Sequence, residues 1–285
     1  MVGRTGRING WKLHVSTIPS NAHRLLAVVV PILKAAVIPF KIARNVSMLQ
    51  ALSEGSFGAT QVGKFATIYP PDDSSCRALA DTLIAVTMEF VGPRIISDLY
   101  LGSVIYARYG SFNPVSQRDR LGQYEARIQL PNGEMVPDRY TVPLEVPPEV
   151  SNPFADLVPL PIPVEDASST EVEIFGPGYV LVDNLHPAAK GSVFLAIDLV
   201  QEDQRRLVVL KEGRKYCATD GSDVDARDRL KREAGLLESL KERVRVPFPG
   251  QYFEVAENGY LPLEFIDGSH LGTRYSAYAF TGCTT

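Results

Sequence analysis

Residues 136–164 carry eight prolines: Pro137, Pro143, Pro147, Pro148, Pro153, Pro159, Pro161 and Pro163. Each removes a backbone donor and fixes φ, so neither a packed helix nor a central strand can run through this stretch. An extended, polyproline-like connector lying on the surface is expected. It divides the sequence into a unit over residues 1–135, a linker over 136–170 and a second unit over 171–285. A chain of 285 residues is long enough for two cores. Charge follows the same division. Residues 1–110 hold 11 Lys/Arg against 6 Asp/Glu, whereas residues 151–285 hold 14 against 21. A basic first part suits an anionic ligand such as a phosphate group. Its cations are too dispersed for a nucleic-acid footprint, so no nucleic-acid partner is expected.

Other classes are disfavoured by local pattern. Cys76, Cys217 and Cys283 are odd in number and far apart, with no Cys-x-x-Cys or His-rich spacing, so neither a disulfide framework nor a metal site is expected. The most apolar run, residues 25–40, contains Lys34, Pro31 and Pro39 and is too short and interrupted to span a bilayer. It also begins too deep, without a small-residue cleavage site, to be a signal peptide. The expectation is a cytoplasmic protein with no membrane partner.

Periodicity gives the first unit an α+β order. A strand at residues 11–16 precedes a helix capped at Pro19-Ser20-Asn21 and running to about Val37, with Pro31 kinking or dividing it. Strands are expected at 38–42 and 63–69, separated by a loop over 53–62. A helix from a Ser74 or Ser75 cap to about Phe90 follows, then short strands near Ile95, 104–109 and 125–129. Beyond the prolines, strands at 179–182, 192–198 and 206–211, a charged helix over 223–241, and strands at 252–255 and 260–265 complete the pattern.

Strand alternation makes residues 11–16 informative. Trp11, Leu13 and Val15 point into a core, while Lys12, His14 and Ser16 share the other face. A lysine and a histidine fixed side by side can give one substrate a cation and a proton-transfer group. A solvated polar face offers the same pattern. His23, His186 and His270 have no such companions.

In the second unit, Val208-Val209-Leu210-Lys211 is similar to the protein-kinase Val-Ala-Ile-Lys strand, and Lys231-Arg232-Glu233-Ala234-Gly235-Leu236-Leu237 looks like kinase helix C. Tyr260-Leu261-Pro262-Leu263-Glu264-Phe265 looks like the strand entering the hinge. The resemblance implies that Lys211 pairs with Glu233 beside nucleotide phosphates, under a loop in which Gly191 alone remains of the usual glycines. His-Arg-Asp and Asp-Phe-Gly motifs are not found. An incomplete kinase-like N-lobe, an antiparallel sheet plus helix C, without kinase activity is therefore expected; ATP or GTP with Mg would belong only to a complete kinase.

The first unit then acquires a resemblance. Gly10-Trp11-Lys12-Leu13-His14-Val15-Ser16, Ile38-Pro39-Phe40-Lys41, Gly63-Lys64-Phe65-Ala66-Thr67-Ile68-Tyr69-Pro70 and Ala107-Arg108-Tyr109-Gly110 together resemble the lyase domain of class III lanthipeptide synthetases. That domain is related to the phosphothreonine lyase effectors. The resemblance implies a phosphothreonine-lyase-like α+β domain ahead of the N-lobe. Its reaction is β-elimination of phosphate from phosphoserine or phosphothreonine in a precursor (leader-core) peptide, giving dehydroalanine or dehydrobutyrine without a cofactor. In that reading Lys41 is the base, its pKa lowered by burial or by neighbouring Lys12, Arg44 and Lys64. Lys12 steadies the enolate and His14 protonates the leaving phosphate. Lys64 and Arg108 cradle the phosphate, with Arg44 and Tyr109 as weaker candidates. Tyr69 and Tyr109 also suit a core or rim position. The alternative is a non-catalytic remnant or excised piece of such a synthetase that binds precursor peptide without turning it over.

Overall fold

A computed structural model describes residues 3, 5–113, 115–118, 124–158, 173–200 and 206–268. Residues 159–170 of the expected linker, with Pro159, Pro161 and Pro163, and also His270 and Cys283 lie outside these residues. The first unit runs β1 (Asn9–Val15), α1 (Ala22–Ala35), β2 (Phe40–Ile42), α2 (Val46–Glu54), β3 (Ala66–Ile68), α3 (Asp73–Val86), β4 (Leu99–Gly102) and β5 (Ile105–Ser111). Its strands form one antiparallel sheet in the order β2-β3-β1-β5-β4. Because β1 lies in the centre, alternate residues meet different layers. Trp11, Leu13 and Val15 join a core with Leu25, Val29 and Leu33 of α1 and Leu79, Ala80 and Leu83 of α3. The helices cover that face, which leaves the Lys12–His14 face for other elements.

Several local expectations change. Pro31 remains inside α1, which is continuous from Ala22 to Ala35. The α3 cap is Asp72, whose carboxylate accepts from the Ser75 amide, rather than Ser74 or Ser75. An aspartate one turn earlier satisfies the same orphan donors. Ile95 is buried in a non-strand segment, and α2 occupies sequence where no helix was expected. That helix starts at Asn45, whose side chain accepts from the Met48 amide, and ends at Gly55 in a left-handed conformation.

The proline-bearing segment is less of a surface connector than expected. Met135–Pro137 forms strand β8, which completes a three-stranded antiparallel sheet with β6 (Val115–Arg118) and β7 (Tyr124–Gln129). Leu144, Val150 and Phe154 are buried in the first core. Phe154 meets Trp11 edge to face with ring centroids 5.5 Å apart, and Trp11 Nε1 donates to the Ser151 carbonyl over 2.9 Å. Proline is tolerated in an edge strand such as β8 and does not prevent burial of the apolar side chains between prolines, and aromatic burial outweighs an extended course on the surface.

The second unit is a five-stranded antiparallel sheet, β12-β13-β11-β10-β9, built from β9 (Tyr179–His186), β10 (Val193–Asp198), β11 (Arg206–Gly213), β12 (Phe253–Val255) and β13 (Asn258–Glu264). Helix α4 (Ala226–Leu240) opens with a reciprocal capping box between Asp225 and Asp228. It packs through Leu230 against Leu261 and Leu263. The whole is an α+β fold of two antiparallel-sheet units, as the sequence pattern predicts. No helix among the described residues is long and apolar enough to cross a membrane.

Candidate active site

Register places the proposed residues. Lys41 lies opposite Thr67, Thr67 opposite His14, and His14 opposite Tyr106, while Lys12 lies opposite Arg108. Directly paired residues of antiparallel strands share a face, so Lys41, His14, Lys12 and Arg108 all project from the side away from α1 and α3. Lys41 stands two strands from His14, about 10 Å along the sheet. Lys64 arrives from the turn before β3. That turn needs Gly63, at φ +80°, because a Cβ there would sit 2.8 Å from the Pro93 carbonyl oxygen.

These groups are not at a solvated strand face. Lys12, His14, Lys64 and Arg108 are only 4%, 3%, 7% and 1% exposed. Buried charge demands partners. Asp98, itself fully buried, is hydrogen-bonded to His14 Nδ1, lies 3.2 Å from Lys64 Nζ and accepts from Ser97 Oγ at 2.9 Å. Arg108 donates through Nη1 to the Ser97 carbonyl at 2.8 Å and through Nη2 to the Arg139 carbonyl, with Asp138 Oδ1 3.9 Å away. Lys12 Nζ donates to the Ser111 carbonyl at 2.9 Å. Three buried cations thus face two carboxylates, an excess of positive charge in a site shielded from water. Such an excess favours an anion.

The protonation states follow from burial. Desolvation pulls Lys12 down to about 8, opposed by Asp138 and reinforced by Lys64 and Arg108. Burial also lowers Lys64, with Asp98 opposing. Burial takes His14 down to about 4 against the attraction of Asp98. For Asp98, burial pushes upward, but His14, then Lys64 and Ser97, hold it down to about 2. His14 is therefore neutral at pH 7, and Lys64 together with the hydrogen bonds from His14 and Ser97 keeps Asp98 ionised. A carboxylate can only accept, so His14 Nδ1 carries the proton and Nε2 holds a free lone pair.

The remaining candidates separate. Lys41 is exposed, and its charge adds to the causes that lower Lys64. Arg44 is exposed in the turn before α2 and has no ion pair among the described residues. Tyr109 is a correction. One residue beyond Arg108, it points to the opposite face, where it packs edge to face with Trp11 and accepts from Asn9 Nδ2 at 2.8 Å. Its phenol belongs to the core side and cannot join the phosphate cradle. Tyr69 lies beside Lys41, whose Nζ is 5.9 Å from its ring centroid. Asp98, Asp138, Ser97 and Tyr140 are the residues that sequence reasoning missed. All four lie outside the strands, where no periodicity marks them.

In the second unit Lys211 Nζ donates to both carboxylate oxygens of Glu233, at 2.6 and 2.8 Å. Gly191, at φ +144°, passes so close to β11 that a Cβ would lie 2.0 Å from the Glu212 carbonyl oxygen. Gly191, Lys211 and Glu233 border one cavity of about 680 Å³ that also touches Glu54, Gly55 and Ser56 at the end of α2.

Two comparisons bear on this arrangement. The family model for the N-terminal domain of RamC matches residues 2–161. Over 268 residues the chain is 32% identical to a Streptomyces coelicolor protein described as a probable SapB synthase. That alignment covers 94% of this chain but 28% of the relative, so the chain spans well under half of that protein. The family match takes in more than half of the sequence and every residue of the buried cation cluster, and the chain belongs to the RamC N-terminal domain family.

Proposed function

We propose that the first unit is a phosphoserine/phosphothreonine lyase acting on a precursor peptide in lanthipeptide-type biosynthesis. The observation that carries this reading is the buried cluster of Lys12, Lys64 and Arg108 beside His14, with Lys41 on the same sheet face. The motif resemblance to lanthipeptide synthetases and the likeness to a probable SapB synthase support the same direction.

The chemistry divides among these residues. The neutral Lys41 amine takes the Cα proton, and the electron pair forms the Cα=Cβ bond as the Cβ–O bond breaks. That second pair leaves on the phosphate oxygen. In this reading Lys12 steadies the developing enolate, and Lys64 and Arg108 hold phosphate oxygens. Lys41 is exposed, and a peptide lying over it would shield its amine from water. His14 Nε2 is unprotonated while Nδ1 donates to Asp98. A phosphate dianion beside it favours the imidazolium, so the substrate itself brings the condition under which His14 can act as acid. The Lys211–Glu233 pair and Gly191 border a cavity that fits a nucleotide phosphate, but the elimination requires none.

The test is incubation of a phosphoserine peptide with the protein and mass spectrometry for loss of phosphoric acid. Lys41→Ala is expected to abolish the loss. His14→Ala is expected to slow it about 10²–10⁴-fold and Lys12→Ala about 10²–10³-fold. Intact phosphopeptide in the presence of folded protein refutes the proposal.

A further inference from the structure

One aromatic ring covers the whole cation cluster. The Tyr140 ring centroid lies 3.9 Å from Arg108 Cζ, 5.1 Å from Lys64 Nζ and 6.0 Å from Lys12 Nζ. Tyr140 is 43% exposed while the three cations are 7% or less, so the ring is the boundary between them and solvent. Arg108 Nε, beneath it, is buried without a hydrogen-bond partner among the described residues. An aromatic face carries a negative quadrupole and occupies cations as a weak, uncharged substitute for an anion.

The backbone leading to Tyr140 is held by hydrogen bonds, whereas its ring rests against the three cations. The Arg139 carbonyl accepts from Arg108, and Asp138 Oδ2 accepts from the Ser111 amide at 2.8 Å. Tyr140 lies outside any strand or helix, and its hydroxyl has no side-chain hydrogen bond among the described residues. Rotation about its own side-chain bonds therefore uncovers the cluster without unfolding anything around it.

We propose that the Tyr140 ring is a resident cover of the anion seat. It occupies the Arg108 face when the seat is empty, swings aside for a phosphomonoester, and returns to expel inorganic phosphate. The inference rests on the lyase reading for the identity of substrate and product. Any anion must displace the ring, so the cover weakens free phosphate, whereas a phosphopeptide has contacts outside the seat to offset that loss. Tyr140 is a positioning and specificity residue, and it transfers no proton.

The experiment is calorimetric titration of the wild type, Tyr140→Ala and Tyr140→Phe with inorganic phosphate, alongside its inhibition constant in the elimination assay. Tyr140→Ala is expected to bind phosphate about ten-fold more tightly, equivalent to about 1.4 kcal/mol, and to be more strongly product-inhibited. Tyr140→Phe keeps the ring and is expected to match wild type. Should Tyr140→Ala fail to fold by its Trp11 fluorescence melt, Tyr140→Leu, which keeps bulk without a π face, is expected to show the same tightening. Unchanged or weaker phosphate binding in a folded ring-less variant overturns the cover, as does a phenylalanine variant that behaves like alanine. Elimination by wild type with unchanged phosphate affinity in Tyr140→Ala refutes the cover alone. A ten-fold change with no elimination by any variant refutes the lyase reading and leaves the cover standing.

Discussion

Replacing Asp98 by asparagine removes the carboxylate on which the buried site is balanced. The side chain is fully buried and interacts with His14, Lys64 and Ser97 at once. Asparagine keeps the shape but loses the charge, which leaves Lys64, 4% exposed in its side chain, without a counterion beside two other cations. Removing one partner of a buried ion pair costs about 3–5 kcal/mol, because the other charge stays desolvated. Trp11 is the single tryptophan, fully buried two residues along β1 from Leu13, and its fluorescence reports unfolding of this unit. Urea denaturation at pH 7 is expected to show that loss for Asp98→Asn. In the double variant with Lys64→Met, where the stranded charge is also gone, at least about 1 kcal/mol should return. A loss below about 1 kcal/mol, or no recovery from the second substitution, would refute the argument that Asp98 is the counterion of this cluster.

Three further outcomes follow from the same structure. Stability should depend on pH with a definite sign: His14, held near 4 instead of 6.5, contributes fully above pH 6.5 and loses about 3 kcal/mol as pH falls to 4, because only the unfolded chain takes the proton. Lys12, lowered from 10.5 to about 8, has the complementary effect, so stability rises from pH 8 toward 10.5; urea midpoints across both ranges check it, and a flat profile contradicts both assignments. Phe154→Ala should cost about 3–5 kcal/mol and shift Trp11 emission, since the two rings touch; an unchanged melt would mean that the segment does not belong to the first core. Lys211→Ala should change stability by only about 0–1 kcal/mol, because both partners of its ion pair are about one-third exposed, and thermal melts with and without ATP separate that structural effect from nucleotide binding.

The parts legible in the sequence were those set by short-range rules. The strand period placed Lys12 and His14 on one face, and the helical period of α1 and α3 supplied the layer that covers the other. The order of strands around α4 followed from periodicity in the same way, whereas the Lys211–Glu233 pair was implied by the resemblance to the kinase strand and helix C. Local reasoning failed where the competing interaction was distant or non-repetitive. It assigned the proline-bearing segment to the surface, although Phe154 packs edge to face on Trp11, 143 positions earlier in the sequence. It retained Tyr109 as a cradle candidate although strand parity with Arg108 sends it to the core.

The sequence by itself determined which side chains are available for chemistry and which sheet face they share, because pleat geometry is a property of consecutive residues. It did not determine their electrostatic state. His14 and Asp98 are 84 residues apart, Arg108 lies on β5 and Tyr140 outside any strand or helix, and burial exists only once those segments close over β1. The pKa values of Lys12, Lys64 and His14 are moved first by the exclusion of water and then by charges that the fold brings beside them. Tertiary structure alone turned a polar strand face into a buried cluster of cations with the Tyr140 ring against it.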